Sequence, residues 1–279
     1  MNHPIDSLRA QFELERRLRQ RILGSSTSDR PGVVSDAYAE LFERFPHHGA
    51  MDSHDERRRH RAQQVAALML PLTRPGDRLL EIGCGCGDAL RELARAGRIC
   101  FGTEPSRHML ELNVAPSEVH IGCGTADQLD FPADTFDLVF SVQVLEHLHP
   151  DDVPLHLAET FRVLRGGGYL AIETPNRRTG PYDVSRGFSD SAEGLHLKEW
   201  SLGELIARFR AAGFGRLQGL VVPPFLARRS AALRRISRLP IIAKQIEDLM
   251  MSWIHNLRLC TFIGRVLGLN DLFVIGRKP

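Results

Sequence analysis

Several shortages bound this sequence of 279 residues before any motif is read. No run of about eighteen apolar residues occurs, so no membrane-spanning helix is expected. The opening residues carry Asp6, Glu13 and Glu15 among arginines without an apolar segment, unlike a secretory leader, and the expected compartment is the cytoplasm. An excess of either charge is missing too, since 36 basic against 34 acidic residues leave a formal net charge of +2. Such a balance offers no global field for nucleic acid, and no nucleic-acid partner is expected. The five cysteines, Cys84, Cys86, Cys100, Cys123 and Cys260, form neither a disulfide ladder nor paired zinc-ligand spacing. Cys84 and Cys86 therefore read as small turn residues, with a redox or metal role as the alternative. His47 and His48 read as part of a surface loop, and no metal site is assigned.

What is present centres on Leu79-Leu80-Glu81-Ile82-Gly83-Cys84-Gly85-Cys86-Gly87-Asp88-Ala89-Leu90. Leu79, Leu80 and Ile82 form a short apolar run behind the turn signal Pro75-Gly76-Asp77, as in a strand covered on both faces. Leu90, Leu93 and Ala94 then open a helix. Three glycines at alternate positions between them let a ligand approach the main chain at a helix N-terminus. A dinucleotide fold would place its third glycine where this chain has Asp88. Glu104 follows Gly83 by 21 residues, a spacing that suits a carboxylate accepting two ribose hydroxyls; capping of a helix starting near Ser106 is the alternative.

Strands and helices alternate from Leu79 onward, with strands expected at 79–82, 99–103, 119–122, 136–142, 169–173, 214–222 and 272–276. The fold class is α/β: a Rossmann-like, seven-stranded doubly wound sheet with N-terminal helices and a helical insertion before the last strand. The expected divisions are a helical N-terminal cap (1–70), a cofactor-binding core (71–222), a helical insertion or lid (223–270) and a final core strand (271–279). The cap has helices at 5–23, 34–45 and 54–70, with a linker at 24–32. Its charged run Glu56-Arg57-Arg58-Arg59-His60-Arg61 reads as a solvated face or an anionic-substrate contact.

The pattern Glu81-x-Gly83-x-Gly85-x-Gly87 resembles the first motif of class I S-adenosylmethionine (SAM) methyltransferases. Gly124-Thr125-Ala126-Asp127-Gln128-Leu129 resembles that family's adenine loop, and the run Asp134 to Val139 before Leu145-Glu146-His147-Leu148 strengthens the likeness over about Gly76 to Phe214. The resemblance implies SAM as cofactor, with Glu81, Gly83, Gly85, Gly87, Glu104, Asp127, Gln128 and Gln143 as its binding residues. Asp127 would accept from the adenine amino group, and Ala126 or Gln128 would offer a backbone N–H.

The segment Gly194-Leu195-His196-Leu197-Lys198-Glu199-Trp200-Ser201 is similar to a subset of type 11 methyltransferases, in which it starts the next helix. Ser201 and Glu204 form a capping box, Trp200 is expected to anchor by packing, and His196 to face the pocket. Glu146, His147 and His196 are the catalytic candidates. His147 carries the side chain whose unperturbed pKa lies near neutrality, and supporting the loop is its other reading. Ubiquinone-pathway O-methyltransferases and small-RNA terminal 2′-O-methyltransferases carry Glu-x-x-Glu-His here and bind metal; Gln143 replaces the first glutamate, which weakens such a site.

The insertion carries Arg228, Arg229, Arg234, Arg235, Arg238 and Lys244, with no acidic residue before Glu247. It reads as a peripheral membrane contact through 226–244 or an anionic-substrate surface, with a lid or dimer surface as the alternative. The segment Tyr38 to His48 resembles methyltransferases of bacterial glycan and secondary-metabolite pathways. The resulting expectation is SAM-dependent O-methylation of a small-molecule or glycan-like acceptor. Its rivals are a metal-dependent RNA 2′-O-methyltransferase and a non-catalytic SAM-binding scaffold. No oligomeric state follows from the sequence.

Overall fold

A computed structural model describes residues 4–45, 55–106, 109–110, 119–220, 238–253, 259 and 270–279. Helices α1 (Pro4–Leu23), α2 (Arg30–Arg44) and α3 (Asp55–Met69) precede the sheet. Strands β1 (Arg78–Ile82), β2 (Ile99–Glu104), β3 (Val119–Cys123), β4 (Phe136–Val142) and β5 (Leu164–Pro175) follow. Helix α4 (Asp88–Arg95) lies between β1 and β2, and α5 (Val153–Val163) between β4 and β5. The chain then forms α6 (Leu202–Ala211), β6 (Gly215–Leu220), β7 (Arg238–Pro240), α7 (Ile241–Ser252) and β8 (Asp271–Arg277).

All seven expected strands are present, joined by a short eighth, in the order β3-β2-β1-β4-β5-β8-β6-β7. The five strands from β3 to β5 run parallel, and β8 is antiparallel to both of its neighbours. This is the Rossmann-like doubly wound sheet, with its switch point beside β1. The added strand, β7, is three residues ending in Pro240 and pairs only with β6 at the sheet edge, where proline is tolerated.

Two cores sandwich the sheet because its strands alternate their side chains. Leu80, Ile82 and Val139 face one core with Trp200 and Phe209, while Leu79, Leu138 and Phe140 face the other with Val65, Met69, Leu90 and Leu93 of α3 and α4. A third cluster joins Leu14, Leu18 and Ile22 of α1 to Ala37 and Leu41 of α2 and to Leu195 and Leu197. The first two helices thus pack on the loop before α6.

Boundaries moved where glycine and proline were given too much weight. Helix α2 begins at Arg30 rather than Val34, because Pro31 lies in its first turn, where no amide partner is lost. Strand β5 begins at Leu164 rather than Tyr169 and runs through three glycines, with a register irregularity between Phe136 and Leu138 on its neighbour. Leu8 lies on the outside of α1, 45% exposed. Of the insertion, residues 238–253 and 259 are described; the 226–237 part of the anticipated membrane segment lies outside the described residues, as do His47 and His48.

Candidate active site

The end of β1 enters the glycine turn, whose Gly83, Gly85 and Gly87 all have positive φ, at 70°, 53° and 72°. At Gly83 the requirement is also steric, because a Cβ there would stand 2.5 Å from Val144 Cγ2. Among the described residues, a Cβ at Gly85 would meet only Met109 Cε at 3.5 Å, so that side of the turn is open to them. Cys84 and Cys86 are buried, and Cys84 Sγ fills the space that a side chain on Gly102 would need. Burial pushes the Cys84 thiol well above its ordinary pKa, as befits a packing residue.

Glu104 ends β2 with both carboxylate oxygens engaged: Gly85 N–H donates to Oε2 at 3.0 Å and Ser106 N–H to Oε1 at 2.9 Å. It therefore ties the glycine turn to the segment after β2, and each oxygen keeps a further lone pair for a hydroxyl. Glu81 lies beside it, buried, and its Oε2 has no hydrogen-bond partner among the described residues. Burial and the charge of Glu104 push the Glu81 carboxyl up to about 8, and burial also raises Glu104. Two adjacent acids, an open glycine turn and an orphaned carboxylate oxygen fit a cationic ligand rich in hydroxyls.

Asp127 is half-buried in the loop after β3 and Gln128 is exposed. Sequence reasoning missed what fixes this loop: His156 of α5 is fully buried, and its Nδ1 donates to Ala126 O at 3.0 Å. Burial lowers its pKa, so the ring is neutral.

Beyond β4, the chain brings Glu146, His147 and His196 together. One ligand atom from each lies within 4.8 Å of the others, the only such cluster among the described residues. The rings of His147 and His196 meet edge to face at 5.0 Å. Several bonds weld the His196 segment to the Glu146 turn: Lys198 N–H donates to Glu146 O at 3.1 Å, and Trp200 Nε1 donates to Leu145 O at 3.4 Å. Trp200 is fully buried, and Ser201 with Glu204 closes the anticipated capping box.

The proton positions follow from the partners. His196 Nδ1 lies 2.9 Å from Glu199 Oε1, an acceptor, so Nδ1 carries the hydrogen and Nε2 the lone pair. Leu195 O, 3.0 Å from His147 Nδ1, sets the same tautomer, and Tyr38 Oη from α2 is 3.1 Å from that nitrogen. Glu146 is fully buried; Oε2 accepts from Thr174 at 2.9 Å, while Oε1 has no hydrogen-bond partner among the described residues and lies 3.9 Å from His147 Nε2. Burial raises the Glu146 carboxyl to about 7 despite the nearby His196. For His196, burial lowers the pKa, but the Glu199 hydrogen bond and the charges of Glu146 and Glu199 outweigh it, leaving it raised. One possible ligand atom from each of the three side chains thus lies close to the others, an arrangement that can share a proton or a cation.

Gln143 does not join this cluster. Its backbone is left-handed (φ 57°), and its Nε2 donates to Asp271 Oδ1 at 3.1 Å. The charged run on α3 divides: Glu56, Arg57, Arg59 and His60 are exposed, whereas Arg58 pairs with Asp88 at 2.6 Å and Arg61 with buried Glu173 at 2.6 Å. A cleft of about 600 Å³ lined by Asp77, Asp137, Arg165, Tyr169 and Arg277 lies at the opposite, N-terminal edge of the strands, away from these residues.

Residues 80–172 match the family model of the methyltransferase domain. A probable S-adenosylmethionine-dependent methyltransferase of Mycolicibacterium smegmatis is 32% identical over 140 residues, 50% of this chain and 52% of that protein. A ubiquinone biosynthesis O-methyltransferase of Brucella ovis is 30% identical over 186 residues, covering 64% of this chain and 67% of the relative. A solved Thermotoga maritima SAM-dependent methyltransferase, described as a possible histamine N-methyltransferase, shares the fold with a TM-score of 0.53 at 19% identity, over 88% of this chain and 98% of its own. The chain spans about half the length of the Mycolicibacterium relative. Fold and cofactor edge together define a Rossmann-like methyltransferase domain. The chain belongs to the class I SAM-dependent methyltransferase family, whose cofactor is SAM.

Proposed function

We propose that this protein methylates an oxygen of a small-molecule or glycan-like acceptor, using Glu146, His147 and His196 at the acceptor side. The observation that carries this reading is the convergence of those three side chains within 4.8 Å just beyond β4. SAM supplies an electrophilic methyl group on a positively charged sulfur, so the chain's residues need to bind, align and deprotonate. Glu104 and Asp127 would hold the ribose and adenine, while Glu81 and the Gly83 to Gly87 turn form the rest of the cradle.

An acceptor hydroxyl must lose its proton as the new C–O bond forms, and a positioned base contributes roughly 10²–10⁴-fold. His196 is the better placed base, because Glu199 fixes its tautomer and stabilises the imidazolium that results. His147 and Glu146 complete the wall. Alignment in a water-poor cleft supplies the remainder, up to ~7–11 kcal/mol in intramolecular analogues. The test is incubation of the protein with labelled SAM and a panel of phenols, sugars, nucleotide-linked sugars and RNA ends. Label on a small hydroxylated acceptor that disappears with His196→Ala supports the reading. Transfer to RNA alone, or to no fraction of a cell extract, would assign the chain to RNA methylation or to a non-catalytic scaffold.

The same cluster favours a second reading, in which one ligand atom each from Glu146, His147 and His196 holds a divalent cation that carries the acceptor oxygen. Activity lost to a chelator and restored by a divalent metal would select it.

A further inference from the structure

Helices α1 and α2 touch the segments that carry both histidines of the cluster. On the His196 side, Leu195 N–H donates to Glu15 Oε2 of α1 at 3.1 Å and Arg19 Nη2 donates to Leu197 O at 2.9 Å. The residues before and after His196 are thus each tied to α1. On the His147 side the contact is direct. Tyr38 of α2 brings its Oη to 3.1 Å from His147 Nδ1, and Leu195 O stands 3.0 Å from the same nitrogen. A carbonyl oxygen only accepts, so Nδ1 carries a hydrogen that the two oxygens share in a three-centre bond. Two acceptors on one N–H narrow the orientation of the ring more than one would. Tyr38 is itself seated: half-buried, its ring lies 5.9 Å from Phe42 and meets the His147 ring edge to face at 6.3 Å. Arg30, at the start of α2, pairs with Asp152 just before α5, which fixes the helix to the core.

We propose that Tyr38 is a positioning residue for methyl transfer: its hydroxyl holds His147 through Nδ1 and keeps Nε2 turned toward Glu146, which lies 3.9 Å away. The proposal rests on the reading that places His147 in the acceptor wall. It applies whether the far side of the ring takes a proton or holds a cation, because the partner of one ring nitrogen sets the tautomer and orientation of the other in both cases. The hydroxyl carries the effect, since a phenylalanine would keep the ring contacts with Phe42 and His147. The N-terminal cap is thereby part of the chemistry and not only a cover, for without Tyr38 the Nδ1 hydrogen keeps Leu195 O alone.

The experiment compares the full chain with Tyr38→Phe, His147→Ala and the double variant on the acceptor that the labelled-SAM panel identifies. Tyr38→Phe is expected to lower kcat about 10–100-fold, while KM for SAM and the thermal midpoint stay as in the parent. In the His147→Ala background it should cost nothing further, because a residue that acts through another has no effect once that one is gone. A second readout needs no acceptor: nitrogen-15 NMR of the histidine rings in the ligand-free chain. The ring signals that vanish in His147→Ala should report a hydrogen on Nδ1 in the parent and a mixture of tautomers in Tyr38→Phe. Where the panel yields no acceptor, these signals decide alone. A parental kcat or unchanged ring signals in Tyr38→Phe, a parent ring protonated at Nε2, or a loss that adds in full to that of His147→Ala overturns the proposal. Parental turnover in His147→Ala would remove the reading of His147 as well, whereas an impaired His147→Ala beside a normal Tyr38→Phe removes only the role of Tyr38.

Discussion

Glu199 reaches His196 across a gap that exists because residue 180 is glycine: Oε1 accepts from Nδ1 at 2.9 Å and from Tyr182 N–H at 2.6 Å, while Oε2 occupies the space a Cβ at Gly180 would fill. Replacing the orienting carboxylate should therefore act on chemistry rather than on cofactor binding. Glu199→Gln is expected to lower kcat about 10–100-fold, as losses of histidine-orienting partners do, with SAM affinity unchanged. Gly180→Ala should show the same signature by displacing Glu199. A normal kcat in both variants would remove the orienting role.

Removing Glu104 should weaken SAM and S-adenosylhomocysteine alike. Its carboxylate both accepts from Gly85 and Ser106 and is the expected ribose acceptor, and hydrogen bonds to charged groups are worth roughly 1.5–3 kcal/mol each. Titration calorimetry on Glu104→Ala checks this, and undiminished affinity for both ligands would leave Glu104 as a brace of the turn.

Asp127→Ala should cost less, about 0.5–1.5 kcal/mol of SAM affinity, for the loss of one hydrogen bond to a neutral amino group. His156→Leu should weaken SAM as well, although it never touches the cofactor, by releasing the Ala126 carbonyl that holds the same loop. Its thermal midpoint should also fall, because Ala126 O would be left with less to accept from. Wild-type affinity in Asp127→Ala is the outcome that rejects the adenine contact.

The ligand-free protein should lose stability as pH rises from about 4.5 to about 8. Glu81 binds its proton more tightly folded than unfolded, since burial and then Glu104 raise its pKa from 4.5 to about 8. Folding therefore takes up a proton in that window, which favours the native state at its acid end and disfavours it at the alkaline end. Glu81→Gln should flatten this slope in thermal denaturation. Bound SAM, a cation, should oppose the decline.

Ser201→Ala should cost about 1 kcal/mol by removing the side-chain acceptor for Glu204 N–H. The thermal midpoint measures it. SAM affinity should not change, since the cap starts α6 rather than the cofactor edge.

Much of this was legible because it is local. The glycine turn, the Glu104 spacing, the capping box of Ser201 and the strand alternation are encoded within short windows, and the resemblance supplied Glu146, His147 and His196 as candidates. What could not be read arises from distant segments meeting. Tyr38 meets His147, His156 meets Ala126, and Arg61 meets Glu173 only because the sheet folds between them. Gln143 is a further case, since its amide donates to Asp271 at the start of β8, far along the chain.

The packing of α1 and α2 bears on how the protein is made. Leu14, Leu18, Ile22 and Leu41 are covered by Leu195 and Leu197, and Leu195 N–H donates to buried Glu15. During synthesis these first helices leave the ribosome long before the residues that shield them exist. Their oily faces stay uncovered while the glycine turn, the first five strands and most of the cofactor cradle are translated. The acceptor wall, with Tyr38 against His147, is consequently among the last parts to assemble although half of it is made first. A chaperone or a slow stretch of translation acting on this protein would have its effect on the acceptor side before the cofactor side.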